Sequence, residues 1–183
     1  MTKKQYTLGF IGIGLMGKPL TLRLLDAGFT VNVWNRSTDK LNSVTSAGAI
    51  AFTSIAELVN ASDIIILCLA NTAVVKSIVE TDIFANGSSN KLLIDLSSID
   101  PETTKHLASH LNQHCGMRWV DAPVSGGTAG AEQGALAIMA GGSENDIEIA
   151  REVLKPLYKQ LTHMGEVGSG QVTKICNQMI VSC

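Results

Sequence analysis

The stretch Thr7-Leu8-Gly9-Phe10-Ile11-Gly12-Ile13-Gly14-Leu15-Met16-Gly17 decides the fold of this 183-residue chain. It starts as a short apolar run typical of a buried β-strand and ends in the pattern GxGxxG, after which a helical period begins. In such a strand–turn–helix unit, the three glycines permit a tight turn, close approach of a pyrophosphate, and close packing of helix on strand. The following helix N-terminus adds unpaired N–H groups for phosphates. Although 17 glycines make a stray match the alternative, this position predicts a dinucleotide site formed by Gly12, Ile13, Gly14, Leu15, Met16 and Gly17.

Short apolar runs alternate with segments of helical period along the rest of the chain. We predict strands at Thr7–Ile11, Thr30–Trp34, Ile50–Phe52, Asp63–Leu69, Lys91–Leu96, Arg118–Ala122, Ala135–Ala140 and Gln160–His163. We predict helices at Leu15–Ala27, Thr38–Ala47, Ser54–Asn60, Thr72–Glu80, Pro101–His114 and Ser143–Leu157, and a helix from Gly170 onward, with a glycine-rich loop at Ser125–Gly134. This alternation predicts an α/β fold of the Rossmann-like, doubly wound type, with a mostly parallel sheet covered by helices on both faces.

The composition excludes several classes of protein. Hydrophobic residues make up 45% of the chain and charged residues 16%, which excludes general disorder. The net charge of −2 and the absence of a basic run argue against nucleic acid or an anionic membrane as a partner. The longest apolar run, Ile64 to Ala70, is too short to span a bilayer, and the N-terminus does not read as a signal peptide. The four cysteines show no metal-binding spacing, which is typical of reduced thiols in a cytoplasmic protein.

The end of the second predicted strand indicates which dinucleotide is preferred. An NAD enzyme usually has an acidic residue there that binds the ribose 2′-hydroxyl. Here the strand is followed by Asn35, Arg36 and Ser37. Asn35 does not repel a 2′-phosphate, Arg36 can bind it, and Ser37 can donate a hydrogen bond. These residues favour NADP(H) over NAD(H), and an ordinary turn with a surface arginine is the alternative.

Four segments in order carry a family resemblance. Gly9–Pro19, Asp95–Pro101, Asp121–Gly127 and Gly165–Asn177 together resemble the motifs of the β-hydroxyacid dehydrogenases, the 3-hydroxyisobutyrate dehydrogenase family. The resemblance implies that Ser98 lies beside the nicotinamide ribose, that Ser125, Gly126 and Gly127 bind the substrate, and that Lys174 and Asn177 are catalytic. The sequence departs from the family at Leu69, Ala70 and Asn71, in the loop under the cofactor, where many members have a proline at the middle position.

The chemistry of these residue types agrees with the implied roles. Reduction of an aldehyde leaves negative charge on oxygen, which the ammonium of Lys174 can stabilise and protonate. A pKa lowered by burial or by a neighbouring cation would suit this role. Without the resemblance, Lys174 would be read as a surface lysine, and Ser125-Gly126-Gly127 as a plain turn. His106, His110 and His114 share a helix face, but no completing ligand is evident, so no metal site is predicted.

The resemblance implies a small carboxylate-bearing semialdehyde or hydroxy acid as the substrate and a homo-oligomer as the assembly. The Asn177-Gln178 pair is most similar to the 2-hydroxy-3-oxopropionate (tartronate semialdehyde) reductases, whereas Gly170-Gln171 and Ile175-Cys176 look like the 3-hydroxyisobutyrate dehydrogenases. We expect an NADP-binding domain at 1–164 and the start of an interdomain helix at 165–183. We expect the helical domain that follows in the family to be absent from this chain, and an apolar helix face from Val172 to Cys183 to be bare. A cofactor-binding fragment without turnover is therefore the alternative function.

Overall fold

The computed structural model describes residues 6–181, of which Val181 is described by its backbone alone. Six strands run parallel in the order β3-β2-β1-β4-β5-β6, and β6 then pairs with an antiparallel β8 that lies between β7 and β9. The strands are β1 (Thr7–Ile11), β2 (Thr30–Trp34), β3 (Ile50–Ala51), β4 (Ile64–Leu67), β5 (Leu92–Asp95), β6 (Arg118–Asp121), β7 (Val124–Ser125), β8 (Leu136–Gly141) and β9 (Tyr158–Gly165). The first six follow the strand order of the dinucleotide-binding fold, which confirms the predicted fold class.

Nine α-helices lie within the described residues, and capping side chains, proline and glycine mark several of their ends. They are α1 (Gly17–Asp26), α2 (Asn42–Thr45), α3 (Ile55–Asn60), α4 (Thr72–Ile78), α5 (Phe84–Asn86), α6 (Pro101–Cys115), α7 (Gly127–Gln133), α8 (Glu144–Leu154) and α9 (Ser169–Val181). Helix α6 shows how local residues set both ends of a helix. The Asp100 side chain accepts from the Thr103 N–H at its start, Pro101 occupies the first turn, and Gly116 ends it in the left-handed conformation.

Both faces of the sheet are buried, which explains its nearly continuous apolar strands. In β4, Ile64 and Ile66 pack into one apolar cluster, and Ile65 and Leu67 pack into the other. Side chains of α1, α2 and α8 complete the first cluster, and side chains of α3, α4 and α6 complete the second. Alternate residues of a strand point to opposite faces, so a strand between two helical layers is apolar at most of its positions.

The prediction of a glycine-rich loop at Ser125–Gly134 is wrong. The segment forms the end of β7 and then helix α7, between Gly126 (φ +132°) and the left-handed Gly134 (φ +64°). Its four glycines lower helix propensity, which is why the sequence favoured a loop. Gly130 serves packing instead, because a Cβ there would stand 3.1 Å from Leu136 Cδ2.

Other differences concern where elements start and end. The predicted helix Thr38–Ala47 begins as a 3₁₀ turn, Thr38–Leu41, before α2, and the predicted helix at Thr72–Glu80 continues through a π-helical turn, Val79–Ile83, into α5. Helix α8 ends in a 3₁₀ turn, Lys155–Leu157, and β7 was not predicted. Across residues 6–181, no helix has the length and apolar character needed to cross a membrane.

Candidate active site

The glycine turn between β1 and α1 has the geometry that a bound pyrophosphate requires. Gly12 has a φ of +106°, and its N–H donates to the Trp34 carbonyl at 3.1 Å. A Cβ on Gly12 would collide with the carbonyl oxygen of Cys68, and one on Gly17 would collide with the carbonyl oxygen of Gly12. A Cβ on Gly14 would meet no protein atom within 4 Å. Two of the glycines therefore serve the packing of the turn, whereas Gly14 leaves its outer side open for a ligand.

Asn35 braces this turn from the end of β2. Its Oδ1 accepts from the Ile13 N–H at 2.9 Å, and its Nδ2 donates to the Ser37 carbonyl at 2.8 Å. Because both ends of the Asn35 amide are occupied, this side chain holds the turn beside the following loop. Arg36 is exposed next to it, and Ser37 is half-buried. The guanidinium of Arg36 is thus exposed at a place where it can meet a phosphate.

An open groove of about 540 Å³ lies beside the glycine turn. Ile13, Gly14 and the 86% exposed Leu15 line it, together with Lys18, Lys40 and the first turn of α7. Lys40 stands four positions after Arg36, and no motif in the sequence marks it as part of the site. Lys18 and Lys40 bring two ammonium groups to the groove and Glu132 brings one carboxylate, so the lining carries a net positive charge that favours phosphates.

The loop after β4 is held at both ends. The Leu69 N–H donates to Ser97 Oγ at 2.9 Å, and Asn71 Oδ1 accepts from the Val74 N–H at 3.0 Å to cap α4. Ala70, where many family members have proline, is exposed between these two anchors. Hydrogen bonds therefore fix the ends of the loop on either side of Ala70.

Asp95, the last residue of β5, is fully buried. Its Oδ1 accepts from the Ser97 N–H at 2.9 Å, and its Oδ2 has no hydrogen-bond partner in the structure. Burial raises the pKa of Asp95 to about 7, hydrogen bonds from Ser97 oppose the shift, and the nearby charge of Asp121 adds to it. Burial, and to a smaller extent the charge of Asp95, also raises the pKa of the adjacent Cys68 thiol to about 12, which makes Cys68 unreactive.

A second carboxylate, Asp121, caps the helix that carries Lys174. Its Oδ1 accepts from the Gly168 N–H at 2.7 Å, and its Oδ2 accepts from the Gln171 N–H at 2.9 Å. Burial raises the pKa of Asp121, and these hydrogen bonds act against the rise. A Cβ at Gly170 would collide with the Met139 carbonyl, so glycine is needed where α9 meets the sheet. Asp121 thus has a structural role, because its carboxylate holds the start of α9 against the sheet.

Lys174 is the buried cation of α9. The residue is 9% exposed, and its Nζ donates to Gln178 Oε1 at 2.9 Å. Burial lowers the pKa of the Lys174 ammonium, with no neighbouring cation contributing. Lys174 lines an open groove of about 570 Å³ together with Ser98 and Thr72. The structure therefore brings Ser98 and Lys174, which are 76 positions apart in the sequence, to one groove.

Asn177 connects helix α9 with the predicted substrate-binding segment, Ser125–Gly127. Its Nδ2 donates to Ser125 Oγ at 3.4 Å, which places the turn after β7 against α9. Gly126 and Gly127 follow, exposed, with φ values of +132° and +62°. The predicted substrate-binding and catalytic residues are thus neighbours in the fold, whereas Asn35, Arg36 and Ser37 follow a different strand, β2.

The remaining sequence features do not join this site. The His106 and His110 rings lie 4.0 Å apart on α6, and no group of three or more His, Cys, Asp or Glu residues within 6–181 could hold a metal ion. The described cysteines, Cys68, Cys115 and Cys176, are free thiols, and Cys183 lies outside the described residues. On α9, Val172, Ile175, Met179 and Ile180 are between 46% and 77% exposed, as the pattern predicted for this part of the helix.

Comparison with known proteins identifies the family. Residues 7–165 match the family described as the NAD binding domain of 6-phosphogluconate dehydrogenase. The chain belongs to this family. Its similar proteins include "Probable 3-hydroxyisobutyrate dehydrogenase, mitochondrial" of Dictyostelium discoideum, 39% identical over 98% of this chain and 56% of the relative. They also include 2-hydroxy-3-oxopropionate reductase of Escherichia coli, 36% identical over 96% of this chain and 60% of the relative. The resemblance to the β-hydroxyacid dehydrogenases is confirmed.

Solved structures of the family superpose closely on the chain. A structure of Mycobacterium tuberculosis 3-hydroxyisobutyrate dehydrogenase with L-serine has a TM-score of 0.92 and 33% identity, over 97% of this chain and 60% of that one. Psf3 in complex with NADP⁺ and 2-OPP has a TM-score of 0.91 and 30% identity, over 95% of this chain and 62% of that one. The chain spans less than two thirds of the length of these relatives.

Proposed function

We propose that the protein is an NADP(H)-dependent oxidoreductase that interconverts a small 3-hydroxy acid and its semialdehyde. The observation that carries the proposal is the buried Lys174, whose pKa is lowered, in one groove with Ser98 on a dinucleotide-binding fold. In this account, residues 1–164 bind the cofactor, and 165–183 begin a helix that carries the proton donor.

The residues around the glycine turn fit a dinucleotide with a 2′-phosphate. Gly14 leaves room for the pyrophosphate, and the N-terminus of α1 offers N–H groups to it. Asn35 brings no negative charge to the end of β2, and the exposed Arg36 can pair with a phosphate there. Lys18 and Lys40 place two ammonium groups within the groove, against one carboxylate, that of Glu132. These features support NADP(H) over NAD(H), and the relative Psf3 was solved with NADP⁺.

The bound cofactor supplies or accepts the hydride, and the chain's own residues handle the proton and the carboxylate. During reduction, the substrate carbonyl oxygen gains negative charge, which the Lys174 ammonium stabilises and then protonates. During oxidation, neutral Lys174 takes the hydroxyl proton. Asn177 and Ser125, in contact at 3.4 Å, together with the N–H groups of Gly126 and Gly127, would bind the substrate carboxylate.

Two substrates have specific support. The Escherichia coli relative favours 2-hydroxy-3-oxopropionate, as does the Asn177-Gln178 pair, and the Dictyostelium relative favours 3-hydroxyisobutyrate. We propose 2-hydroxy-3-oxopropionate as the first substrate and 3-hydroxyisobutyrate as the alternative. A homo-oligomer in the cytoplasm stays part of this proposal.

A substrate panel tests the proposal. The protein is assayed with NADPH and with NADH against 2-hydroxy-3-oxopropionate, the semialdehyde of 3-hydroxyisobutyrate, and an uncharged aldehyde of similar size as the control. We expect turnover with a carboxylate-bearing semialdehyde, a lower KM for NADPH than for NADH, and little activity on the control aldehyde. Tight NADPH binding with no turnover of any substrate would instead favour a cofactor-binding module without catalysis. Equal affinity for both cofactors would contradict the NADP(H) preference.

A further inference from the structure

The side chain of Gln171 makes two hydrogen bonds to the loop that follows β5. Its Nε2 donates to the Ser97 carbonyl at 2.8 Å, and its Oε1 accepts from the Ile99 N–H at 3.1 Å. Gln171 itself is 1% exposed. Both ends of its amide are therefore satisfied, and both partners are backbone groups on either side of one residue, Ser98.

This arrangement imitates the pairing of two parallel strands. In a parallel sheet, one residue donates its N–H to the carbonyl before a residue of the neighbouring strand and accepts, through its own C=O, from the N–H after that residue. The Gln171 amide bonds in this way around Ser98. Ser97 and Ile99 are buried, 3% and 6% exposed, whereas Ser98 between them is exposed in the groove. The amide thus fixes the backbone that presents Ser98.

The backbone of the same glutamine is fixed from the opposite side. The Gln171 N–H donates to Asp121 Oδ2, at the end of β6. Lys174 follows one helical turn later, so residues 171 and 174 are neighbours on the surface of α9. Gln171 therefore links the helix that carries Lys174 to the loop of Ser98 through its side chain, and to Asp121 of β6 through its backbone.

We propose that Gln171 is a positioning residue, whose amide sets the placement of Ser98 relative to Lys174 in the groove between them. The inference rests on the proposed function, because it assigns the two ends of this link to the cofactor side and to the proton donor. A proton donor that is misplaced by about 1 Å can lose about two orders of magnitude in rate. The cofactor-binding turn before α1 lies outside the link and would keep its affinity.

Replacement of Gln171 by methionine, a side chain of similar length without an amide, tests this inference. We expect Gln171→Met to lower kcat by about 10- to 100-fold while the Kd for NADPH stays within about twofold. Amide hydrogen exchange at Ile99 should accelerate at least about tenfold, whereas exchange at Leu96, whose N–H bonds to the Leu67 carbonyl, should not change. The control is Gln113→Met, because Gln113 is an exposed glutamine whose Nε2 donates to Ser109 Oγ within α6. It should leave all these quantities unchanged.

A second variant keeps the test decisive if Gln171→Met does not fold. Gln171→Asn retains the amide on a stem one methylene shorter, so it cannot reach both Ser97 and Ile99, and we expect a smaller fall in kcat at unchanged NADPH affinity. An unchanged kcat in a folded variant of an active wild type would overturn the inference, and so would a matched loss of kcat and NADPH affinity. If the wild type turns over no semialdehyde, the proposed function fails, and unchanged exchange at Ile99 in Gln171→Met would separately refute the link.

Discussion

Asn177 on α9 donates a hydrogen bond to Ser125 Oγ across 3.4 Å, although 52 positions separate the two residues. The contact joins the turn before α7 to the helix that carries Lys174. Asp121 also joins these two regions, because its carboxylate caps α9 and its strand, β6, leads into β7 and the turn before α7. Substrate binding and proton transfer are therefore assigned to segments that the fold holds together.

The glycines of the first turn have separable roles. Gly17→Ala should lower the free energy of unfolding by about 1–3 kcal/mol or more, because the new Cβ collides with the Gly12 carbonyl and overpacks the turn. Gly14→Ala meets no protein atom and should fold with an unchanged midpoint in urea. It should nevertheless weaken NADPH binding at least about tenfold, since the methyl group occupies the space beside the backbone where the pyrophosphate would lie.

Urea unfolding and fluorescence titration with NADPH measure both effects. Full NADPH affinity in Gly14→Ala would contradict the assignment of that open side to the cofactor.

Arg36 should discriminate between the two cofactors. A charge-assisted bond to a phosphate is worth about 1.5–3 kcal/mol, so Arg36→Ala should weaken NADPH binding about tenfold or more. NADH lacks the 2′-phosphate, and its Kd should change by less than about twofold. Titration of both cofactors measures this, with Lys155→Ala as a control for loss of an exposed cation on the 3₁₀ turn after α8. Equal weakening of both cofactors would show that Arg36 does not read the 2′-phosphate.

Asp95 should make the stability depend on pH. Its carboxyl keeps a proton up to about pH 7 in the folded protein, against an ordinary pKa of 3.8, so the folded state binds more protons between these values. The free energy of unfolding contributed by Asp95 therefore falls as pH rises through this window, by up to roughly 4 kcal/mol.

Urea unfolding of wild type and Asp95→Asn at about pH 4.5, near the lower end of that window, and at about pH 8, above it, measures the contribution. We expect the stability of the wild type relative to the variant to be lower at the higher pH. Asp26→Asn, at an exposed position of α1, controls for the substitution itself. A relative stability that rises with pH would contradict the buried, protonated state of Asp95.

The lowered pKa of Lys174 should appear in the pH profiles of the reaction. Reduction needs the ammonium, so its kcat should fall as pH rises through a pKa below the ordinary 10.5, whereas kcat for oxidation should rise over the same range. Steady-state rates in both directions measure the profiles. A reduction rate that stays flat until an ordinary lysine titrates would exclude Lys174 as the proton donor.

Much of the fold could be predicted because its signals are local. The strand–glycine–helix unit at Thr7–Gly17, the apolar strand β4 and the cap at Asp100 each follow from a few adjacent residues. Helix α7 could not be predicted, because its stability depends on Gly130 packing against Leu136 of the next strand. Propensity alone, with four glycines in ten positions, favours a loop there.

The site was predictable only where a motif marks it. Lys174 and Ser98 have roles that the family resemblance implies, whereas Gln171 belongs to a matching segment but has no role that the sequence indicates. Its importance comes from hydrogen bonds to Ser97 and Ile99, more than 70 positions away, and pairing at that distance leaves no local signal.

Replacement of Lys174 tests the central claim most directly. Single-turnover reduction of 2-hydroxy-3-oxopropionate and of the semialdehyde of 3-hydroxyisobutyrate is followed through NADPH absorbance, with NADPH affinity titrated in parallel. The exposed Lys159 provides the control variant, Lys159→Ala. We predict that Lys174→Ala loses turnover by at least about a thousandfold while its Kd for NADPH stays within about twofold, because removal of a proton donor costs about 10²–10⁴ and loss of oxyanion stabilisation adds to it. Substantial turnover in Lys174→Ala would contradict the account.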